Sequence, residues 1–293
     1  MKYKEFSLND AETIKRYLSF NQIRLCDYSF SNLFCWGESY NIKWKIHDDL
    51  LLIYDKKDDY HLFPVGRKIT SEELLKISDM EISVTGSGNF FMVQEDFINE
   101  NKEFLNKYFQ IELNKDYSDY IYLSKSLSEL KGKRLHKKRN LISQFKRNHP
   151  KYIVKEISPE LYRECIELND YWCKFHSSCG TEDLNDENTA IRKAFNNFSE
   201  LGFSGLAILE DKKVLAFSVY DTLTEDTALV HFEKSLIECK GAAQIINHEI
   251  AKEISKKFRF IDRETDMGIE GLRKAKRSYE PDHMSLSYFL NRK

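Results

Sequence analysis

The chain has 293 residues, with 45 Lys and Arg against 47 Asp and Glu for a formal net charge of −2, and its 41% apolar and 13% aromatic content can build a sizeable core. That balance excludes a globally basic nucleic-acid binder, so any basic patch is a local feature. No stretch approaches the ~20 apolar residues of a membrane span, and MKYKEFSLND at the N-terminus lacks the apolar region of a secretion signal, so a cytoplasmic protein without a transmembrane segment is expected.

In chain order, residues 2–18 read as a short strand followed by a capped helix. Tyr28, Phe30, Phe34 and Trp36 form an aromatic group that could line a lipid or base pocket, against the plainer reading of core. Strands are predicted near 42–47, 50–54 and 60–65, the last reached through the polar turn DKKDD, and TSEELLKI opens a capped helix. KGKRLHKKRNLISQFKRNHP, residues 131–150, reads as a helix with an apolar stripe of Leu135, Leu141, Ile142 and Phe145, ended by Asn148 and Pro150. A strand over 152–157 and two helices follow, the second closed by Gly202. Next come three strands, GLAILE, VLAFSVYD and TALVHFEK, joined by the tight turns DKK and LTED. The helix GAAQIINHEIAKEISKK, the strand FRFIDRE, the helix GIEGLRKAKRSY and the strand HMSLSYFL complete the chain.

Residues 151–168 repeat the strand-then-helix order of residues 2–18, each strand ending Lys-Glu-apolar-Ser. Two domains of similar build are therefore expected, 1–130 and 151–293, with a basic connecting helix over 131–150. Three antiparallel strands leading into one helical crossover give a mixed, mostly antiparallel sheet covered by helices, an α/β (α+β) class. The order resembles the GCN5-related acyltransferase fold. That resemblance implies a strand splayed from its neighbour before the crossover helix, with the acyl carrier's pyrophosphate on the helix N-terminus.

Six cysteines, at 26, 35, 165, 173, 179 and 239, form no C-x-x-C pair and read as thiols of a reducing compartment. Cys173, His176 and Cys179 are expected to pack or face water, and no metal is expected.

Four stretches could carry chemistry. In HFEKSLIECKGAAQIINHEI, Lys240 and the small residues Gly241, Ala242 and Ala243 open a helix, where close backbone approach and the helix dipole favour an anion. The acyl-CoA motif Arg/Gln-x-x-Gly-x-Gly/Ala is half met, because Glu238 occupies its first position and would repel a pyrophosphate. A helix start that is small only for packing is the alternative. In ALVHFEK, alternation places His231 and Glu233 on one strand face, where either could take a proton from an attacking acceptor, Glu233 being the first choice. A solvated strand face is the bland counterpart.

In DRETDMGIEGLRKAKRSYEP, Ile269, Leu272, Ala275 and Tyr279 form the expected buried stripe, and Arg273 and Lys276 could hold phosphates or belong to a solvated basic helix face. Tyr279 could act as a general acid, although a stripe residue more often packs. Arg263, Glu264 and Asp266 are further polar candidates; Glu264 and Asp266 could cap the helix, contact a cationic aminoacyl group or only balance charge. Lastly, the 131–150 segment carries eight Lys and Arg and no acid. Lys133, Arg134, Lys137, Lys138 and Arg139 form its polyanion-binding candidates, for phosphates of RNA or CoA or for an anionic lipid surface.

KGKRLHKKRNLISQF, ALVHFEKSLIECKGAAQIIN and DRETDMGIEGLRKAKRSYEP together resemble the family that shares the C-terminal domain of phosphatidylglycerol lysyltransferases. The resemblance spans nearly the whole chain. It implies tandem acyltransferase-like domains and an aminoacyl or acyl donor, with charged tRNA suited to the basic helix; the acceptor stays open. An acyl-CoA-dependent transferase acting on a small amine, and a non-catalytic protein binding RNA or an anionic surface, are the alternatives.

Overall fold

A computed structural model describes residues 2–175 and 182–293. His176 and Cys179, part of the cysteine and histidine group noted above, lie outside the described residues. The chain divides into two compact units. The first comprises Met1–Asp119, Thr265–Ile269 and Met284–Lys293; the second comprises Tyr120–Glu264 and Glu270–His283.

The first unit is built on a seven-stranded sheet, ordered Lys4–Glu5, Ile42–His47, Leu50–Asp55, Tyr60–Leu62, Phe90–Gln94, Ser287–Arg292 and Phe109–Leu113. Its crossover helix, Ser71–Thr85, starts on a capping box. Thr70 accepts from the Glu73 N–H, and Glu73 accepts from the Thr70 N–H. Gly86 closes it at φ 92°, a left-handed conformation that costs glycine nothing. Beyond the helix, Phe90–Gln94 pairs parallel with Tyr60–Leu62. Leu50, Leu52, Leu74, Phe90, Val93, Leu105, Phe109 and Leu290 pack into one core. Tyr28, Phe30 and Phe34 are buried as well, which gives the aromatic group its core reading.

The second unit's sheet places Asp119–Leu123, Phe260–Asp262, Thr227–Ser235, Lys213–Thr224, Ser204–Glu210 and Ile153–Glu156 side by side. The last three strands before the crossover form the expected antiparallel meander, and Phe260–Asp262 returns parallel to Thr227–Ser235 after the helix Ala242–Ile254. The central strands read as nearly unbroken apolar runs and are buried along most of their length, with the helices Tyr162–Phe175 and Ala242–Ile254 packed on them. Ile245, Ile246, Ile250 and Ile254 are the buried face of the crossover helix. Both units are thus mixed sheets covered by helices, the acyltransferase-like class read from the element order.

Two segments sit elsewhere than the sequence placed them. Residues predicted as one closing strand form His283–Ser285 and Ser287–Arg292, and the latter pairs with Phe90–Gln94 and Phe109–Leu113 in the first unit's sheet. Asp119–Leu123, expected within an N-terminal domain, pairs with Phe260–Asp262. The basic helix runs over His136–Asn148 and belongs to the second unit. Such pairings join residues far apart in sequence, and local patterns carry no sign of them.

Candidate functional site

The parallel pairing of Thr227–Ser235 with Phe260–Asp262 stops at Leu229 and Asp262. From Val230 onward the strand has no ladder partner on that side among the described residues, so the sheet splays. Side chains bridge the opening. The Arg263 Nη2 donates to Glu233 Oε1 at 3.0 Å, and His231 Nδ1 lies 3.5 Å from Glu264 Oε1. The turn that aims Arg263 and Glu264 is fixed locally. Buried Asp262 accepts the Glu264 N–H at 2.7 Å, and Glu264 takes a left-handed φ of 58°.

His231 and Glu233 do not share one face as alternation predicted. Val219 pairs with Phe232 while Tyr220 pairs with Val230, so His231 is the extra residue of a β-bulge. Its ring packs edge-on at 5.1 Å from that of Phe203, and Nε2 lies 2.9 Å from Asp221 Oδ1. Burial alone would drive the imidazole toward neutrality. The Asp221 and Glu264 carboxylates outweigh it and raise the group to about 10. His231 is therefore an imidazolium held between two acids, a poor proton acceptor.

Glu233 instead meets the crossover helix, where Asn247 Nδ2 donates to its Oε2 at 3.4 Å. Both carboxylate oxygens are engaged, and only 15% of the side chain is exposed. Burial opposes the charge on Arg263, but Glu233, Tyr122 and Tyr279 hold the guanidinium firmly charged. Its Cζ lies 5.1 Å from the Tyr279 ring centroid and 5.9 Å from that of Tyr122. Tyr279 is buried, as the stripe reading required. Burial pushes its phenol well above the ordinary range despite Arg263, and the Gln244 side chain hydrogen-bonds it. Tyr279 is thus a poor acid at neutral pH.

The rest of the expected stripe is inverted. Ile269 is 53% and Leu272 36% exposed, whereas Lys276 is buried. The Lys276 Nζ donates to the Arg263 and Glu264 carbonyl oxygens, and Tyr122 Oη donates to the Lys276 carbonyl at 2.7 Å. Those bonds spend the ammonium on fixing the Arg263 turn rather than on an exposed phosphate site. Arg273 is half-buried. Asp266 is part of the first unit and accepts the Gly268 N–H at 3.0 Å, so it shapes its own loop.

At the crossover helix, Gly241 has φ 92°, and a Cβ there would come 2.4 Å from the Leu141 carbonyl oxygen. The glycine is required by the close packing of His136–Asn148, the alternative weighed above. The Ala242 N–H bonds to the Cys239 carbonyl at 2.9 Å, Ala242 is buried, Ala243 is half-buried and Lys240 is exposed. Glu238, the residue out of keeping with the acyl-CoA motif, accepts from Tyr171 Oη at 3.2 Å.

The basic segment separates into distinct roles. Lys133 and Lys137 are exposed. Arg134 pairs with Glu280 at 2.7 Å on the surface. Arg139 donates to the Leu130 and Gly132 carbonyls and so ties down the turn before its own helix. Lys138 points into the site, where its Nζ sits 3.9 Å from the Tyr279 ring centroid and donates to Ser278 Oγ at 2.6 Å. Burial and the neighbouring Arg263 lower it to about 8. Glu233, Arg263, Tyr279 and Lys138 thus come together, joined by Gln244 and Asn247, two residues the sequence reading did not single out. A signal was available, since Gln244 and Asn247 lie one turn apart on an otherwise apolar face.

The family described as "phosphatidylglycerol lysyltransferase, C-terminal" matches residues 20–291. A conserved protein of unknown function from Bacteroides thetaiotaomicron is 31% identical over all of both chains, with a TM-score of 0.92. A C-terminal domain ascribed to a lysylphosphatidylglycerol synthetase of Agrobacterium fabrum is 13% identical, with a TM-score of 0.64 over 96% of this chain and 92% of that one. FemX is 11% identical, with a TM-score of 0.56 over 100% of this chain and 98% of that one. The last two likenesses are of fold. A comparison with curated proteins finds no match.

Proposed function

Because the chain belongs to the phosphatidylglycerol lysyltransferase C-terminal family, we propose that it is an aminoacyltransferase that moves an aminoacyl group from a charged tRNA to a hydroxyl or amine acceptor in the second unit. The observation that carries this reading is the Arg263 and Glu233 bridge across the splayed strands, beside a helix with bases and no acid in its first turn. A guanidinium kept charged in a half-closed site suits the oxyanion that forms when an ester carbonyl is attacked. Glu233, with both oxygens engaged, serves by orienting Arg263. Lys133 and Lys137 meet the donor's phosphates. Among the described residues no helix is long and apolar enough to cross a membrane.

The test is a titration of labelled aminoacyl-tRNA at two salt concentrations with wild type and the Lys133→Glu, Lys137→Glu variant. Salt-sensitive binding by wild type, weakened at least tenfold in the variant and with a salt slope lower by about one per lysine, is expected. No binding by wild type, with thermal protection by acyl-CoA instead, would move the reading to an acyl-CoA-dependent transferase. Binding that persists without transfer to any acceptor would leave a non-catalytic RNA-binding protein.

A further inference from the structure

Transfer to a hydroxyl or amine needs a proton acceptor, and the two groups nearest the splay are unsuited to it. His231 is held protonated by Asp221 and Glu264, and Glu233 is bonded through both oxygens. Lys138 differs from both. Among the described residues its polar side-chain contact is a hydroxyl, Ser278 Oγ, and no carboxylate pairs with it. We propose that Lys138 is the base of the second unit's site, taking the proton of the attacking acceptor, an assignment that rests on the transfer reading above.

The surroundings favour a neutral amine. Lys138 stands in the first turn of His136–Asn148, where the positive end of the helix dipole disfavours an ammonium and no acid offsets it. Arg263 faces it from the turn after Phe260–Asp262, with its Cζ 5.1 Å from the same Tyr279 ring. Lys137 and Arg139 flank it on its own helix, and Glu280, the acid just beyond Ser278 and Tyr279, is paired with Arg134. The Tyr279 ring pulls the other way, since its face favours a cation, but it serves Arg263 as well. A lysine crowded by cations and partly desolvated is how an amine becomes a base near neutral pH, in keeping with its lowering to about 8.

The neutral Nζ takes the acceptor's proton as the acceptor oxygen or nitrogen bonds to the aminoacyl carbonyl carbon. The tetrahedral intermediate then collapses with cleavage of the bond to the tRNA ribose oxygen. The same proton passes to that oxygen, and Lys138 ends neutral.

Two readouts test this in the full chain. Lysines carrying ¹³C-methyl groups are titrated by NMR, with the Lys138 resonance identified by its loss in Lys138→Arg; a midpoint near 8 is expected. Single-turnover transfer from labelled aminoacyl-tRNA to a cell extract of small molecules and lipids is then followed from pH 6 to 10. Lys138→Arg and Lys138→Met should both lose about 100-fold in rate and lack the wild-type rise toward pH 8, with donor binding within twofold. If wild type transfers and Lys138→Arg keeps its rate and profile, or if the amine titrates above 10, Lys138 is not the base and the transfer reading stands. If wild type transfers nothing, the transfer reading fails and this proposal falls with it.

Discussion

In the first unit, Tyr60–Leu62 runs parallel to Phe90–Gln94 across the crossover helix Ser71–Thr85, and His61 sits at that joint. It lies 3.2 Å from Tyr3 Oη through Nδ1, and 3.2 Å from both Thr85 Oγ1 and the Ser87 carbonyl through Nε2. Beside it Lys45 Nζ pairs with Glu81 Oε1 at 2.6 Å, with 5% and 1% of the two side chains exposed. The second unit has the same parallel joint between Thr227–Ser235 and Phe260–Asp262; past its last pair charged side chains span the gap, where in the first unit the Tyr28 hydroxyl donates to the Phe63 and Met92 carbonyls. Burial pushes His61 down to about 4, against the pull of Glu81. His231, fully buried too, is raised to about 10 by two acids. One joint is sealed by a network that closes on itself, and the other sets acids and cations against each other across a gap. Fold alone does not make a site; the charged side chains set across the splay do.

The largest test of that contrast lies in the sealed joint. Lys45→Met strands Glu81 and should cost about 3–5 kcal/mol in chemical denaturation, while Lys45→Met with Glu81→Leu should recover most of it. A single variant as stable as wild type would break the comparison, because the pair would then not be closed off from water. Next in size is Gly241→Ala. The left-handed backbone and the Leu141 carbonyl should together cost about 1–3 kcal/mol, read as a lowered denaturation midpoint.

The two histidines sharpen the contrast through pH. His61 is depressed from 6.5 to about 4, so neutrality of the folded ring stabilises above 6.5, and that support is lost as pH falls toward 4. His231 is raised from 6.5 to about 10, so its contribution is complete below 6.5 and is lost as pH climbs toward 10. Denaturation midpoints of His61→Gln and His231→Gln should approach that of wild type at opposite ends of the range, the first in acid and the second in alkali. The smallest effect belongs to Lys133→Glu with Lys137→Glu, expected to change stability by less than about 0.5 kcal/mol while weakening donor binding.

The meander and crossover of the second unit were legible because three apolar runs were bounded by tight turns and followed by one amphipathic helix. Glu233 and Arg263 were likewise within reach as charged residues beside the expected splay. Three things were hidden. A bulge at His231 breaks the two-residue period on which the shared face depended, and nothing local announces it. Lys276 is buried where Leu272 and Ala275 were expected, because its ammonium finds carbonyls 12 and 13 residues away, a reward that helical periodicity cannot register. The bases of the 131–150 segment look alike in sequence, yet Arg139 turns to backbone carbonyls and Lys138 to an aromatic ring more than a hundred residues on.

The most direct measurement compares transfer of labelled amino acid from aminoacyl-tRNA to extracted lipids and small molecules by three proteins: wild type, Glu233→Gln, and Lys45→Met with Glu81→Leu. The account predicts a loss of about 100-fold in Glu233→Gln, through a misplaced Arg263, and a rate within about twofold of wild type in the first-unit double variant. Transfer that survives Glu233→Gln but is lost in the double variant would place the chemistry at the sealed joint and contradict it.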